Sequence, residues 1–178
     1  MRLFFALSPD AGARDALAGL AREVALAAGG RAPRAENLHL TLAFLGSVPQ
    51  LRLRELEAIG ARTAAAAAPF VLTLDSVGGF RAAGIAWAGM DAAPAELQRM
   101  FEHLRSLLRA AGLPTERRAF APHVTLARRC LRTLPGGRPA PVAWRVDAIE
   151  LMASETLPEG PRYRTLASWP LAGASPLP

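Results

Sequence analysis

Two short stretches, HLTL at His39–Leu42 and HVTL at His123–Leu126, each place threonine two residues and leucine three residues after a histidine. The chain has three histidines, and two of them lie in these motifs. Residues i and i+2 project from the same face of a β-strand, so each motif predicts an imidazole beside a hydroxyl. The alternating apolar residues predict a buried opposite face, formed by Leu38, Leu40, Leu42 and Phe44 in the first case and by Val124 and Leu126 in the second.

An order of strand, helix and motif strand occurs twice along the chain. In the first half, a strand at Leu3–Leu7 precedes a helix that we expect to be capped by Ser8, with Pro9 at its first position, and ended by Gly29–Gly30. The motif strands are predicted near residues 37–45 and 122–128. Two such lobes facing each other would bring both histidines to one cleft.

The remaining elements follow from apolar periodicity and turn residues. We expect helices over about 50–67 and after Pro94, the second with an apolar stripe of Leu97, Met100, Phe101, Leu104, Leu107 and Leu108. Alternation at Phe70–Leu74 predicts a strand, and a turn at Gly78–Gly79 is expected to lead to a strand at Ile85–Met90. Further strands are predicted near residues 145–152 and 163–169.

Composition limits the possible classes of protein. A chain of 178 residues fits one domain, 1–178, made of two pseudo-repeat lobes. No apolar stretch approaches the length of a membrane span, and the single cysteine, Cys130, cannot form an internal disulfide, so we expect a cytoplasmic protein without a membrane association. All 21 Lys or Arg residues are arginine and the net charge is +6, which is compatible with an anionic or RNA partner. No protein partner is implied.

Two imidazoles and two hydroxyls at one cleft suit phosphodiester chemistry. A neutral imidazole can take a proton from an attacking water while a protonated one gives a proton to the leaving oxygen, and the threonines Thr41 and Thr125 can donate to the phosphate. A metal site would need a third ligand at suitable spacing, so we expect neither metal nor cofactor. His103, the remaining histidine, is expected to be a solvated or partly buried helix residue.

Residues around the second motif could extend the site. Phe120 could stack on a base or fill the core, and the residues alone leave both open. Arg128, five residues after His123, points to the opposite face if the strand is regular, so it reaches the site only through a bulge or at the strand's end.

The stretches ENLHLTLAFLG (Glu36–Gly46) and RRAFAPHVTLAR (Arg117–Arg128) resemble the paired signatures of the two-histidine phosphoesterase superfamily, and most closely its RNA 2′,3′-cyclic phosphodiesterase group, also called 2′-5′ RNA ligases. The resemblance extends to GIAWAGM at Gly84–Met90 and to Ile149–Leu171. Members of this group often carry an aromatic residue shortly before the first motif, where this chain has Arg31–Ala35.

This resemblance implies a bilobal α+β fold with antiparallel sheets lining a central cleft and helices outside. It implies catalysis by His39 and His123, with His39 as the general acid and His123 as the general base, and phosphate binding by Thr41, Thr125 and Arg128. The implied activity is hydrolysis of RNA 2′,3′-cyclic phosphate ends to a 2′-phosphate, with 2′-5′ ligation as the reverse reaction. Alternatives are a phosphodiesterase acting on a small cyclic or 2′-5′-linked nucleotide and a non-catalytic module that binds RNA ends.

Overall fold

A computed structural model describes residues 2–115, 119–132, 136–157 and 160–172 of the chain. In this part of the chain the helices are α1 (Ala11–Ala28), α2 (Leu53–Ala65) and α3 (Ala95–Ala110). The strands are β1 (Arg2–Leu7), β2 (Leu40–Ser47), β3 (Phe70–Leu74), β4 (Ser76–Phe80), β5 (Ile85–Gly89), β6 (His123–Arg128), β7 (Val142–Val146), β8 (Ala148–Leu157) and β9 (Gly160–Pro170).

The two motif strands are neighbours at the centre of the main sheet. Seven antiparallel strands follow the order β4-β5-β6-β2-β1-β8-β9, and β3 pairs with β7 in a separate two-stranded sheet. The predicted α+β class with two lobes is confirmed. The lobes share one sheet, because β2 and β6 pair at Leu40 and Val124.

The main sheet separates the largest apolar cluster from the face that carries the motifs. Three alternate residues of β1 are fully buried: Leu3, Phe5 and Leu7. They belong to the cluster that also holds the apolar faces of the three helices. Phe4 lies on the opposite face, where it packs against Met152 and Tyr163 and contacts the ring of His39. The helices therefore cover one face of the sheet, and His39 lies on the other.

The predicted boundaries hold for some elements and fail for others. Gly29 ends α1 in the left-handed conformation, as expected, but Asp10 caps its start: the Asp10 carboxylate accepts from the Ala13 N–H at 2.8 Å. The Ser8 hydroxyl instead donates to Glu150 at 2.6 Å, so the predicted Ser8 cap is wrong. A short 3-10 turn at residues 50–52 precedes α2, and the apolar stripe of α3 is buried, apart from Leu107, which is partly buried.

Two local predictions on strands are wrong for a shared reason, which is pairing with a distant strand. Gly78 and Gly79 lie inside β4 and pair with Trp87 and Ala86 of β5. Phe44 is 40% exposed. A register shift between β1 and β2 interrupts the alternation of side chains, so that Leu45 is buried in place of Phe44. The other predicted inward residues of the motif strands are buried.

Candidate active site

His39 lies two residues after a short 3-10 turn, Ala35–Asn37, and directly before β2. Its Nδ1 is 2.7 Å from the carbonyl oxygen of Asn37, two residues earlier. The side-chain amide of Asn37, which is 8% exposed, donates to the carbonyl of Pro161 on β9 at 3.0 Å. The residue that orients the imidazole is therefore itself tied to β9, the strand at the edge of the same sheet.

His123 opens β6 and repeats this geometry. Its Nδ1 is 2.7 Å from the carbonyl oxygen of Ala121, again two residues earlier. A carbonyl oxygen can only accept, so in both histidines we assign the Nδ1 as the protonated donor. The Nε2 atom of each ring is then left for proton transfer, and the carbonyl fixes the orientation of the ring.

Aromatic rings support both imidazoles in similar ways. The ring of Tyr163 meets His39 edge-on at 4.9 Å between centroids, and that of Phe4 lies 5.0 Å from it. Phe80 meets His123 edge-on at 5.1 Å, and Trp87 lies 6.5 Å from the same imidazole. The sequence reasoning missed these rings, because each comes from a strand remote in sequence from its motif.

The antiparallel pairing of Leu40 with Val124 interleaves the two motifs. Moving forward along one strand means moving backward along the other, so Thr125 lies on the His39 side and Thr41 on the His123 side. His39 and Thr125 indeed line the same cavity. Each imidazole therefore has the other motif's hydroxyl nearby, in addition to the threonine of its own motif.

A bulge in β6 brings Arg128 to the site. Thr125 pairs with Trp87 and Ala127 with the preceding residue, Ala86, so Leu126 is left without a direct partner. The extra residue reverses the alternation of side chains, and both Leu126 and Ala127 are fully buried. Arg128 consequently lines the cavity together with His39, as required for a phosphate contact.

The cavity has a volume of about 710 Å³ and opens between the first motif and the ends of β6 and β9. Its arginines come from three segments of the chain and are Arg31, Arg34, Arg128, Arg129 and Arg162. Tyr163 is also in the wall, whereas His123 and Thr41 are not among the residues that line it. Arg31 and Arg34, from the segment before the first motif, make this wall of the cavity cationic.

Burial is the largest cause that lowers the pKa of His39, from 6.5 to about 4. The hydrogen bond to the Asn37 carbonyl opposes this shift, and the positive charges of Arg128 and His123 add to it. Without an anion in the cavity, His39 is therefore neutral at neutral pH. A bound phosphate would offset the charge of Arg128 and so raise this pKa.

Other predicted residues lie away from the cavity. Phe120 stacks on Phe101 of α3 with ring centroids 3.9 Å apart and packs on the main apolar cluster, so its placement favours core filling over a base contact. His103 is a partly buried residue of α3, as expected. Arg117 and Arg118, at the start of the second signature, lie outside the described residues.

Within the described ranges, no group of three or more His, Cys, Asp or Glu side chains is placed to hold a metal ion. None of the helices described there has the length and apolar character needed to span a membrane.

The paired histidines on a shared antiparallel sheet define the class of two-histidine phosphoesterases. A family model described as LigT like Phosphoesterase matches residues 7–87 and 89–163. These ranges cover most of the chain, which therefore belongs to the LigT-like phosphoesterase family.

Individual proteins of this family resemble the chain over most of its length. It is 35% identical over 184 residues to the RNA 2′,3′-cyclic phosphodiesterase of Thermus thermophilus, covering 97% of this chain and 91% of that protein. It is 38% identical over 155 residues to the enzyme of that name from Geobacillus stearothermophilus; the match covers 78% of this chain but 47% of that longer relative. The crystal structure of Escherichia coli LigT complexed with 3′-AMP superposes with a TM-score of 0.84 and 32% identity, over 96% of this chain and 97% of that one.

Proposed function

We propose that this protein hydrolyses the 2′,3′-cyclic phosphate end of RNA to a terminal 2′-phosphate, using His39 and His123 as its acid and base and no metal ion. The observation that carries the proposal is the pair of imidazoles whose Nδ1 atoms are each held 2.7 Å from a carbonyl, which leaves both Nε2 atoms for proton transfer. Relatives named RNA 2′,3′-cyclic phosphodiesterase support the choice of substrate.

In-line displacement at phosphorus puts the attacking water and the leaving oxygen on opposite sides. His123 Nε2 takes a proton from the water as the water oxygen bonds to phosphorus. The bond from phosphorus to the 3′-oxygen breaks, and protonated His39 gives its Nε2 proton to that oxygen. Thr41, Thr125 and Arg128 hold the non-bridging oxygens and stabilise the charge of the transition state.

The acid role of His39 depends on the substrate. Its pKa of about 4 leaves it neutral before binding. The cyclic phosphate carries one negative charge, and binding beside Arg128 and His39 raises the pKa so that the imidazole takes up a proton. We therefore assign the protonated acid to the substrate complex, with the proton taken up on binding.

The direct test is incubation with an RNA oligonucleotide that ends in a 2′,3′-cyclic phosphate, in parallel with a 2′,3′-cyclic mononucleotide. We expect the oligonucleotide to be converted to a product with a terminal 2′-phosphate, identified by nuclease mapping or phosphorus NMR. Turnover of the mononucleotide alone would select the small-nucleotide phosphodiesterase. Binding of the oligonucleotide with no turnover of either substrate would select the non-catalytic module.

A further inference from the structure

The cavity carries more positive charge than one cyclic phosphate requires. Five arginines and one glutamate line it, and that glutamate, Glu36, lies 3.9 Å from Arg34 in a pair whose side chains are each 68% exposed. Such an exposed ion pair contributes little to stability, so Arg34 remains available to bind an anion. The other four arginines, Arg31, Arg128, Arg129 and Arg162, form no ion pair with a carboxylate of the described residues. Only one of the five, Arg128, shifts the pKa of His39.

Arg129 is distinguished from the other arginines by its backbone. Its φ is +56°, and it is the one residue besides glycine with a positive φ among the described residues. A positive φ costs free energy for a residue with a Cβ, and the arginine side chain does not reduce this cost. Consecutive residues of a regular strand point to opposite faces, yet Arg128 and Arg129 both line the cavity. The left-handed turn at the end of β6 therefore adds a second guanidinium to the same wall.

Contacts on both sides hold this turn in place. A Cβ at Gly30 would lie 2.9 Å from the Arg128 carbonyl oxygen and 2.9 Å from the Cys130 sulfur, so only glycine lets the segment after α1 approach this closely. The Arg31 N–H donates to the Arg128 carbonyl at 2.8 Å. On the other side, the Cys130 N–H donates to the Gly84 carbonyl at 3.0 Å. The strained residue is thus fixed between two segments that flank the cavity.

We infer that Arg129 binds a second phosphate of the substrate, the phosphodiester on the 5′ side of the reacting nucleotide. This inference rests on the proposed function and narrows its substrate class to oligonucleotides. An RNA 3′-end carries its next negative charge on the phosphodiester attached to the 5′-oxygen of the last ribose, whereas a 2′,3′-cyclic mononucleoside phosphate has no such group. Arg34 and Arg162 line the same cavity and add to its positive potential.

Two substitutions separate the guanidinium from the backbone strain. Arg129→Gln removes the charge and keeps a non-glycine residue at positive φ, whereas Arg129→Gly removes the charge and the strain together. Both variants should unfold cooperatively on heating, which shows that they are folded, and Arg129→Gly should melt at the higher temperature because it relieves the strain. Arg62→Gln, on an exposed face of α2, removes the same charge away from the cavity and is the matched control.

The kinetic test compares three substrates: an oligonucleotide with a cyclic end, a cyclic mononucleotide, and the same mononucleotide with an added 5′-phosphate. Both Arg129 variants should raise KM for the oligonucleotide about fivefold to tenfold, the scale of one charge-assisted contact, with little change in kcat. KM for the mononucleotide with the added 5′-phosphate should rise by a smaller factor in the Arg129 variants, and KM for the plain mononucleotide should hardly change. Equal increases in KM for all three substrates, or none for any, would overturn the inference.

A binding measurement keeps the inference distinct from the proposed function. Affinity for an oligonucleotide with a 3′-phosphate should fall in Arg129→Gln but not in Arg62→Gln, and the slope of log affinity against log salt should drop by about 0.7, the value for one phosphate on a single strand. If the unmodified protein turned over neither kind of substrate, the proposed function would fail, whereas unchanged oligonucleotide affinity in Arg129→Gln would overturn the inference about Arg129.

Discussion

The surroundings of His39 and His123 have the same hydrogen-bond and ring geometry, but the residues whose carbonyls hold the two imidazoles differ. Each Nδ1 is 2.7 Å from the carbonyl two residues earlier, and each ring meets an aromatic ring edge-on, at 4.9 Å for Tyr163 and 5.1 Å for Phe80. The carbonyl that holds His39 belongs to Asn37, whose buried amide is bonded to β9, whereas the one that holds His123 belongs to Ala121, which has no polar side chain.

Electrostatics also separates the two histidines. His39 lines the cationic cavity and has a pKa lowered to about 4, and His123 lies outside the lining. A repeated motif thus supplies two imidazoles with the same Nδ1 hydrogen bond, while burial, together with the positive charge of Arg128, lowers the pKa of His39. The comparison teaches that the surroundings of His39, and not the motif, set its pKa, so under the proposed function its role as the acid depends on an anionic substrate that offsets the nearby positive charge.

The largest effect is expected from removing either imidazole. His39→Ala and His123→Ala should each reduce kcat for the cyclic-ended oligonucleotide by about 10²–10⁴, the usual contribution of one acid–base group. His103→Ala, at the third histidine, on α3, should leave kcat unchanged and serves as the control. Steady-state kinetics would measure kcat, and thermal melts would show that each variant is folded. Activity of either motif variant within a few-fold of the parent would contradict the assignment of both histidines.

The next prediction tests whether the two histidines have different roles. With a nitrophenyl phosphodiester, whose leaving group needs no proton, His39→Ala should recover most of the activity that it loses with the cyclic phosphate, by a factor of about 10². His123→Ala should remain impaired with both substrates, because the water must still be activated. The opposite pattern would exchange the roles, and equal losses would show that neither imidazole acts as a simple acid.

The sequence predicted the parts of this site that depend on one strand, and missed those that depend on pairing between strands. The i, i+2 spacing was enough to predict that each histidine shares a strand face with the threonine of its own motif, and the alternation of Phe70–Leu74 was enough to place β3. Arg128 was expected at the site from the family resemblance, and its position depends on a bulge opposite Trp87. The exposure of Phe44, which was not expected, depends on the register of β1, and neither the bulge nor the register leaves a local signal.

The same limit applies to the residues that support the histidines. Tyr163 and Phe80 reach the imidazoles from β9 and β4, so their roles follow from sheet order. The motif stretch Glu36–Gly46 includes Asn37, but its hydrogen bond to Pro161 joins residues 124 positions apart. A polar residue two positions before the motif histidine was the available signal, and nothing local distinguishes it from a surface asparagine.

The tether behind His39 should have a smaller effect on catalysis than the imidazole itself. Asn37→Ala keeps the carbonyl that accepts from His39 and removes the amide bond to Pro161. We expect kcat to fall by about tenfold through misorientation of His39, and unfolding free energy to fall by about 1 kcal/mol for the lost hydrogen bond. The loss should largely disappear with the nitrophenyl substrate, since Asn37 acts through the acid. A loss of stability with full kcat would assign Asn37 a purely structural role.

The lowered pKa of His39 can be measured directly. In a proton NMR titration without substrate, His39 should titrate near pH 4, and Arg128→Gln should raise this pKa because it removes a nearby positive charge, whereas Arg62→Gln should not change it. Because the folded pKa lies below 6.5, the unfolded chain binds the proton first as the pH falls. His39 therefore stabilises the fold fully above about pH 6.5, and this contribution, up to about 3 kcal/mol, is lost towards pH 4. A parent whose unfolding free energy follows the same pH dependence as His39→Gln would contradict the lowered pKa.

The smallest effect is expected from chelation. A divalent ion held by His39 and His123 would make the two imidazoles equivalent ligands and remove the acid–base distinction. Within the described part of the chain, no third His, Cys, Asp or Glu side chain joins them in a group suited to a metal ion, and each Nδ1 is already bonded to a carbonyl. We therefore expect kcat/KM to be unchanged after exhaustive dialysis against a chelator, with metal content measured by mass spectrometry. Loss of activity on chelation that a single divalent ion restored would replace the acid–base pair by a metal centre, and the two histidines would then share one role.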